Sequence, residues 1–213
     1  MGKIITIAQQ KGGSGKTTVA AHLAVAWAAQ PKTTVAVIDV DPQGSLGEWF
    51  EQREELYGDE PGLTFRTASG WGARREARAL ARDHDVVVLD TPPKSDTEAR
   101  PSIEVANLVL VPVQPSPIDV WATQSTLDLA AKEDSEALLV VNRVPPRAKL
   151  TEEMVEALKE MPKSAAKTRL GNRVAFAEAM GSGRTVLETH KSGKAAEEVA
   201  ALAQEVHKIL SRA

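Results

Sequence analysis

Near the start of the chain, Gln9-Gln-Lys-Gly-Gly-Ser-Gly-Lys-Thr-Thr18 places three glycines just before a Lys-Thr-Thr run. Glycines let a backbone fold into a nest whose amides point at phosphate oxygens, and a helix starting there adds its own N-terminal amides. Val19-Ala-Ala-His-Leu-Ala-Val-Ala26 follows at helical period. Gly12, Gly13, Ser14, Gly15 and the segment through Thr18 therefore read as a phosphate loop for ATP. Lys16 is placed to meet the β- and γ-phosphates, and the Thr17 hydroxyl to ligate Mg²⁺. The general form of this loop has a further glycine where Gln10 stands, and Lys11-Gly12-Gly13 replaces it.

Two later segments end an apolar run in acid. Val86-Val-Val-Leu-Asp90 is four apolar residues and a carboxylate, followed by Thr91-Pro-Pro93. Such a strand delivers Asp90 to a metal shell beside bound phosphate, and Thr91 to Lys94 then form a segment that senses the γ-phosphate. Val37-Ile-Asp-Val-Asp-Pro-Gln-Gly44 puts Asp39 and Asp41 at a strand's C-terminal end, where α/β sheets bind ligands. Further on, Val140-Val141 leads into Asn142-Arg143.

These residues need a scaffold that gathers strand ends. Apolar runs of strand length occur at 4–8, 35–40, 63–67, 86–90, 108–112 and 137–142. Helical periods lie between and after them, near 16–29, 45–56, 73–83, 98–107, 117–131, 151–160, 173–180 and 194–211. Strands apolar on both faces and joined by helices predict an α/β fold. The expected architecture is one doubly wound, mostly parallel sheet with helices on both faces, a single domain over 1–213.

The loop Lys11-Gly-Gly-Ser-Gly-Lys-Thr-Thr18 resembles the deviant Walker A of the ParA/MinD ATPases. In that group an extra lysine reaches across a nucleotide-sandwich homodimer to the partner's phosphates, and Lys11 matches it. Asp39-Val-Asp-Pro-Gln43 resembles the family's first switch, which implies that Asp41 orients the attacking water and supports the Mg²⁺ shell. Pro112-Val-Gln-Pro-Ser-Pro-Ile-Asp119 resembles its Pro-x-x-Pro loop, which puts Pro115 at the nucleotide. By the same resemblance Asn142 contacts the adenine, whose donor and acceptor edges suit an amide. Thr168 through Glu188 matches the later stretch with Arg, Ala, Gly, Val and Glu at fixed offsets, so the likeness covers essentially the whole chain. It implies a small partition-type ATPase without the helix-turn-helix extension of larger members. Such a protein dimerises with ATP and binds double-stranded nucleoid DNA without sequence preference. A cargo-bound, ParB-like adaptor stimulates its hydrolysis.

Composition fits that reading. There is no cysteine, which excludes disulfides, thiolate metal sites and an iron–sulfur reductase of related fold. The longest apolar runs are far too short to span a bilayer, and no leader-like segment precedes the first strand, so the expected location is cytoplasmic. Charge is uneven: residues 1–140 hold 13 Lys and Arg against 20 Asp and Glu, while 163–194 hold seven against two. That basic segment nominates Lys163, Lys167, Arg169, Arg173, Arg184, Lys191 and Lys194 for DNA contact, Arg173 foremost. The rival is a membrane-associated switch of the MinD kind. The last helix disfavours it: its apolar stripe Val199, Leu202, Val206, Ile209 and Leu210 lies opposite Glu197, Glu198 and Glu205, which suits docking on the domain's own core. The four histidines lack metal-ligand spacing. Trp27, Trp49 and Trp121 are expected in or near the core, whereas Trp71, between two glycines, reads as a partner anchor or as loop packing.

Overall fold

The protein is described here from a computed structural model covering residues 1–93, 96–146, 149–159, 161 and 165–212. Six strands form one parallel sheet: β1 (Lys3–Ile7), β2 (Val35–Asp39), β3 (Thr64–Thr67), β4 (Val86–Asp90), β5 (Leu108–Val113) and β6 (Ala137–Val141), in the order β3-β2-β4-β1-β5-β6. The described helices are α1 (Lys16–Ala28), α2 (Ser45–Tyr57), α3 (Trp71–Asp83), α4 (Asp96–Glu104), α5 (Pro117–Lys132), α6 (Lys149–Lys159), α7 (Val174–Met180), α8 (Val186–Thr189) and α9 (Lys194–Leu210).

The period-two alternation within each strand sorts the core into layers. Ile5, Ile7, Val35, Val37, Leu108 and Leu110 face α1, α2 and α7–α9. Ile4, Ala36, Ile38, Val87 and Leu89 face α3, while Val109, Val111, Leu139 and Val141 face α4, α5 and α6. Both sheet faces are covered, which is why every strand but the edge strand β3 is almost wholly apolar. The chain leaves β1 toward β2 on one side and later passes to β5 on the other. That reversal opens a crevice at the strands' C-terminal ends beside β1.

Boundaries follow local chemistry. Ser116 caps α5, its hydroxyl accepting from the Asp119 amide, and Pro117 occupies the first turn, where its missing N–H costs nothing. Helix α4 ends earlier than the periodicity suggests, because the Asn107 carboxamide accepts from the Ile4 amide and ties that residue to β1. α9 packs on the α1 layer, with Val199, Leu202, Val206 and Leu210 buried and the Trp27 indole donating to the Ala203 carbonyl at 3.2 Å. The short α8, stapled by a Thr185–Glu188 capping box, was not expected. Trp121 corrects an expectation: it is 73 % exposed on α5, one turn from Ile118, which also faces solvent. Trp71 stands exposed at the start of α3.

Candidate nucleotide site at the strand ends

Every candidate nucleotide or metal residue lies at or just beyond a strand's C-terminal end. β1 runs into the loop, where Gly13 and Gly15 adopt φ of 80° and 90°, a region that disfavours side chains. Gly15 is also the N-cap of α1, and a Cβ there would sit 2.4 Å from the Asn142 Nδ2. The loop borders an open cleft of about 570 Å³, whose walls include Lys16, Thr17, Thr18, Asp41, Gln43 and Arg143.

Lys16 is largely buried at the cleft floor. Burial lowers the pKa of its ammonium, and Asp90 and then Asp41 oppose that shift. Asp90 is fully buried and pushed up to about 7, first by desolvation and further by the nearby Asp39 and Asp41, with the Thr17 hydroxyl and Lys16 acting against it. Its Oδ2 accepts from the Thr17 Oγ1 at 2.5 Å, while its Oδ1 has no partner. An orphaned buried carboxylate oxygen beside a threonine hydroxyl fits a hard cation. Among the described residues no three His, Cys, Asp or Glu gather into a cage of their own. Mg²⁺ suits that arrangement, because it takes most of its oxygens from water and phosphate.

The neighbouring carboxylates divide the work. Asp39 accepts from the amides of Asp41, Leu46 and Gly47 at 2.9–3.1 Å, which pins the segment after β2 to the first turn of α2. Asp41 is half-buried at the cleft wall, where its Oδ1 accepts from the Gln43 amide. Thr91 is held by the Ile7 carbonyl, and Pro93 lines the cleft beside Gly12; Lys94 lies outside the described residues.

Lys11 does not line its own cleft. Its Nζ is 2.7 Å from Asp119 Oδ2 at the start of α5, and that carboxylate also accepts from the Ser116 hydroxyl. The Gln9 side chain bonds Thr123 and Thr126 of α5, and Gln114 donates to the Gly13 carbonyl at 2.9 Å. The loop entrance and α5 thus form one hydrogen-bonded unit.

Residues 5–186 match the CobQ/CobB/MinD/ParA nucleotide binding domain. The chain belongs to that family. The carboxysome distribution protein A of Halothiobacillus neapolitanus is 27 % identical over 97 % of this chain and 94 % of its own. Among solved structures, the apo McdA of Cyanothece superposes with a TM-score of 0.81 at 16 % identity, covering 97 % of this chain and all of the other. The septum site-determining protein MinD of Pyrococcus horikoshii, solved with Mg-ADP, reaches 0.80 at 19 % identity over 98 % and 97 %.

Within this ParA/MinD-type site two expectations change. Asn142 is buried, donates through Nδ2 to the Ser14 carbonyl at 2.8 Å, and accepts from the Arg143 amide through Oδ1. Its carboxamide shapes the phosphate loop instead of facing the cleft, and the neighbouring Arg143 lines the cleft. Pro115 is buried away from the cleft, and the residue before it makes the contact to the loop. Arg143, at φ 53°, together with Met180 and Gly181 forms a wall that sequence reasoning did not single out. Only the adjacency of Arg143 to Asn142 hinted at it.

The basic candidates do not form one patch. Arg169, Arg173 and Lys194 share a groove with Glu198. Arg173 is paired to Glu198 at 2.6 Å, and Arg169 to Glu152 at 2.8 Å. Lys167 sits in a different groove beside Glu205. Arg184 is half-buried and gives its carbonyl to the Trp49 indole, while Lys191 is exposed. Lys163 lies outside the described residues.

Proposed function

We propose that this chain is a Mg·ATP-hydrolysing positioning ATPase that dimerises across bound nucleotide and, as the dimer, holds duplex DNA without sequence preference. The observation that carries the reading is the placement of Lys11. A lysine serving its own chain's phosphates would sit in its own cleft, yet this ammonium is held outside, on Asp119, at a half-exposed surface. Beside it Ile118 and Trp121 are 63 % and 73 % exposed on the same helix. A half-exposed cation next to exposed apolar side chains suits a face that meets a second copy, where Lys11 leaves Asp119 for the partner's phosphates.

The chemistry follows from the chain's own groups. Loop amides and Lys16 hold the phosphates and offset charge that grows as the terminal phosphoryl leaves. Asp41 orients the attacking water, and Thr17 and Asp90 hold Mg²⁺, which when bound neutralises phosphate charge. The carboxysome distribution relative, together with the chromosome partitioning protein ParA of Myxococcus xanthus, 27 % identical over 54 % of this chain, supports a positioning role. An adaptor on the cargo would set the timing of hydrolysis, in a cytoplasmic, nucleoid-bound cycle. Among the described residues no helix is long and apolar enough to cross a membrane, and the apolar stripe of α9 is buried on the core.

Co-sedimentation with plasmid DNA and with anionic liposomes, in Mg·ATP and in Mg·ADP, tests the reading. ATP-dependent pelleting with DNA alone is expected. ATP-dependent pelleting with liposomes alone would replace it by a membrane-associated switch.

A further inference from the structure

Among the described residues, a basic stripe without ion-pair partners lies on α3. This helix buries Ala73, Ala77, Leu80 and Ala81 against the sheet, so Arg75, Arg78 and Arg82 are left on the solvent side. Their spacing of three and four residues puts them in one stripe about 10 Å long at 1.5 Å per residue. Among the described residues none of the three makes an ion pair or hydrogen bond. Two of the nearby acids are engaged elsewhere: Glu104 pairs with Arg74 at 2.6 Å, and Glu76 faces Arg66 at 3.8 Å. Asp83 is exposed at the helix end. The open groove along the stripe is lined by Arg74, Arg75, Arg78, Ala79 and Arg82, four arginines in five residues.

Like charges at these spacings destabilise a helix by a few tenths of a kcal/mol per pair, roughly, and nothing inside the fold compensates them. An external anion would. The groove is shallow and has no converging backbone amides, so it is unsuited to enclosing one small anion. A row of guanidiniums suits a row of phosphates, and duplex DNA presents one charge per about 1.7 Å of its axis. The C-terminal candidates are weaker on this ground, since Arg169 and Arg173 already hold carboxylates. They also belong to the layer on the opposite face of the sheet.

We propose that the solvent face of α3, through Arg75, Arg78 and Arg82, is a contact surface for the phosphate backbone of duplex DNA. The proposal rests on the DNA-binding reading given above and moves the contact from the C-terminal segment to this helix. A guanidinium reads charge and not sequence here, so the contact is indifferent to base order.

The test is a salt titration of binding to random-sequence duplex, with the protein held in a slowly hydrolysed Mg·ATP analogue. The R75Q/R78Q/R82Q variant should lower the slope of log affinity against log salt by about 3 for each protomer whose α3 meets the duplex, and weaken binding at least roughly tenfold. The triple lysine variant should restore most of the slope, and Arg78→Gln alone should remove about one unit per such protomer. Melting temperature should not fall, since the substitutions relieve the like-charge repulsion, and DNA-free ATP turnover should stay as in wild type. Wild type that binds while the triple glutamine variant keeps its slope and affinity overturns this proposal and leaves the DNA reading standing. Wild type that does not bind duplex in the ATP state overturns the reading, and this proposal with it.

Discussion

Replacing His22 by glutamine should flatten the acid limb of the stability curve. The imidazole sits on α1, 1 % exposed, with Nδ1 2.7 Å from the Thr18 carbonyl. Its Nε2 accepts from the Val186 amide at 3.1 Å, so the ring is neutral and carries its proton on Nδ1. Protonation would aim a second N–H at the Val186 amide in a buried site. Burial therefore pushes the pKa from the ordinary 6.5 down to about 4, against smaller opposing effects of the Thr18 carbonyl and Glu188. Between those values the unfolded chain binds a proton that the folded chain refuses, so stability rises with pH across this window. The contribution is whole above pH 6.5 and is lost as pH falls to 4. At 1.36 kcal/mol per pH unit the difference amounts to ~3 kcal/mol. Urea unfolding at pH 4.5, 5.5 and 7.5 measures it. Other groups titrate in both proteins, so the informative quantity is the difference between them. Glutamine keeps a donor and an acceptor but does not titrate, and the variant should lose less stability on acidification by about that amount. Parallel curves for the two proteins would refute the reasoning.

Lys16→Ala should reduce binding of a fluorescent ATP analogue and turnover by roughly 100-fold or more while far-UV circular dichroism is unchanged. Trp121→Glu should raise the dimer dissociation constant in the ATP state by about 30-fold, corresponding to an anchor of about 2 kcal/mol, as read by analytical ultracentrifugation. Arg53→Met should cost about 3–5 kcal/mol in chemical denaturation, because it leaves Glu188 without its buried cation. That arginine also donates to the Pro61 and Gly183 carbonyls and lies against the Trp49 and Tyr57 rings.

What was legible in the sequence was what is local. The near-continuous apolar runs of β1, β2 and β5 announce burial on both faces, and the three glycines before Lys16 announce the loop. Long-range partnerships were not legible. Asn142 reads as a free amide until Gly15, lacking a Cβ, lets it approach the loop and bond Ser14, 128 positions away. Counting charge along 163–194 nominated Arg169 and Arg173, but Glu152 and Glu198, 17 and 25 residues away, are their partners. The arginines of α3 escaped the same count because acids surround them in an acidic half of the chain. Trp121 reads as inward because it falls in a helical period, yet the inner face of α5 carries Asp119, Thr123 and Thr126, which serve the phosphate loop. Polar residues facing inward blur the helical period, and an outward tryptophan completes the confusion.

The central claim is an ATP-controlled sandwich in which Lys11 acts across the interface. Light scattering on a sizing column, with Asp41→Ala and Lys11→Ala run in Mg·ATP and Mg·ADP, tests it directly. Asp41→Ala should elute at twice the 22.8 kDa of one chain in ATP and at one chain in ADP, because nucleotide binds but is not hydrolysed. Lys11→Ala should stay at the mass of one chain in both. An Asp41→Ala protein that is a single chain in ATP, or a Lys11→Ala protein that dimerises as wild type does, would contradict the account.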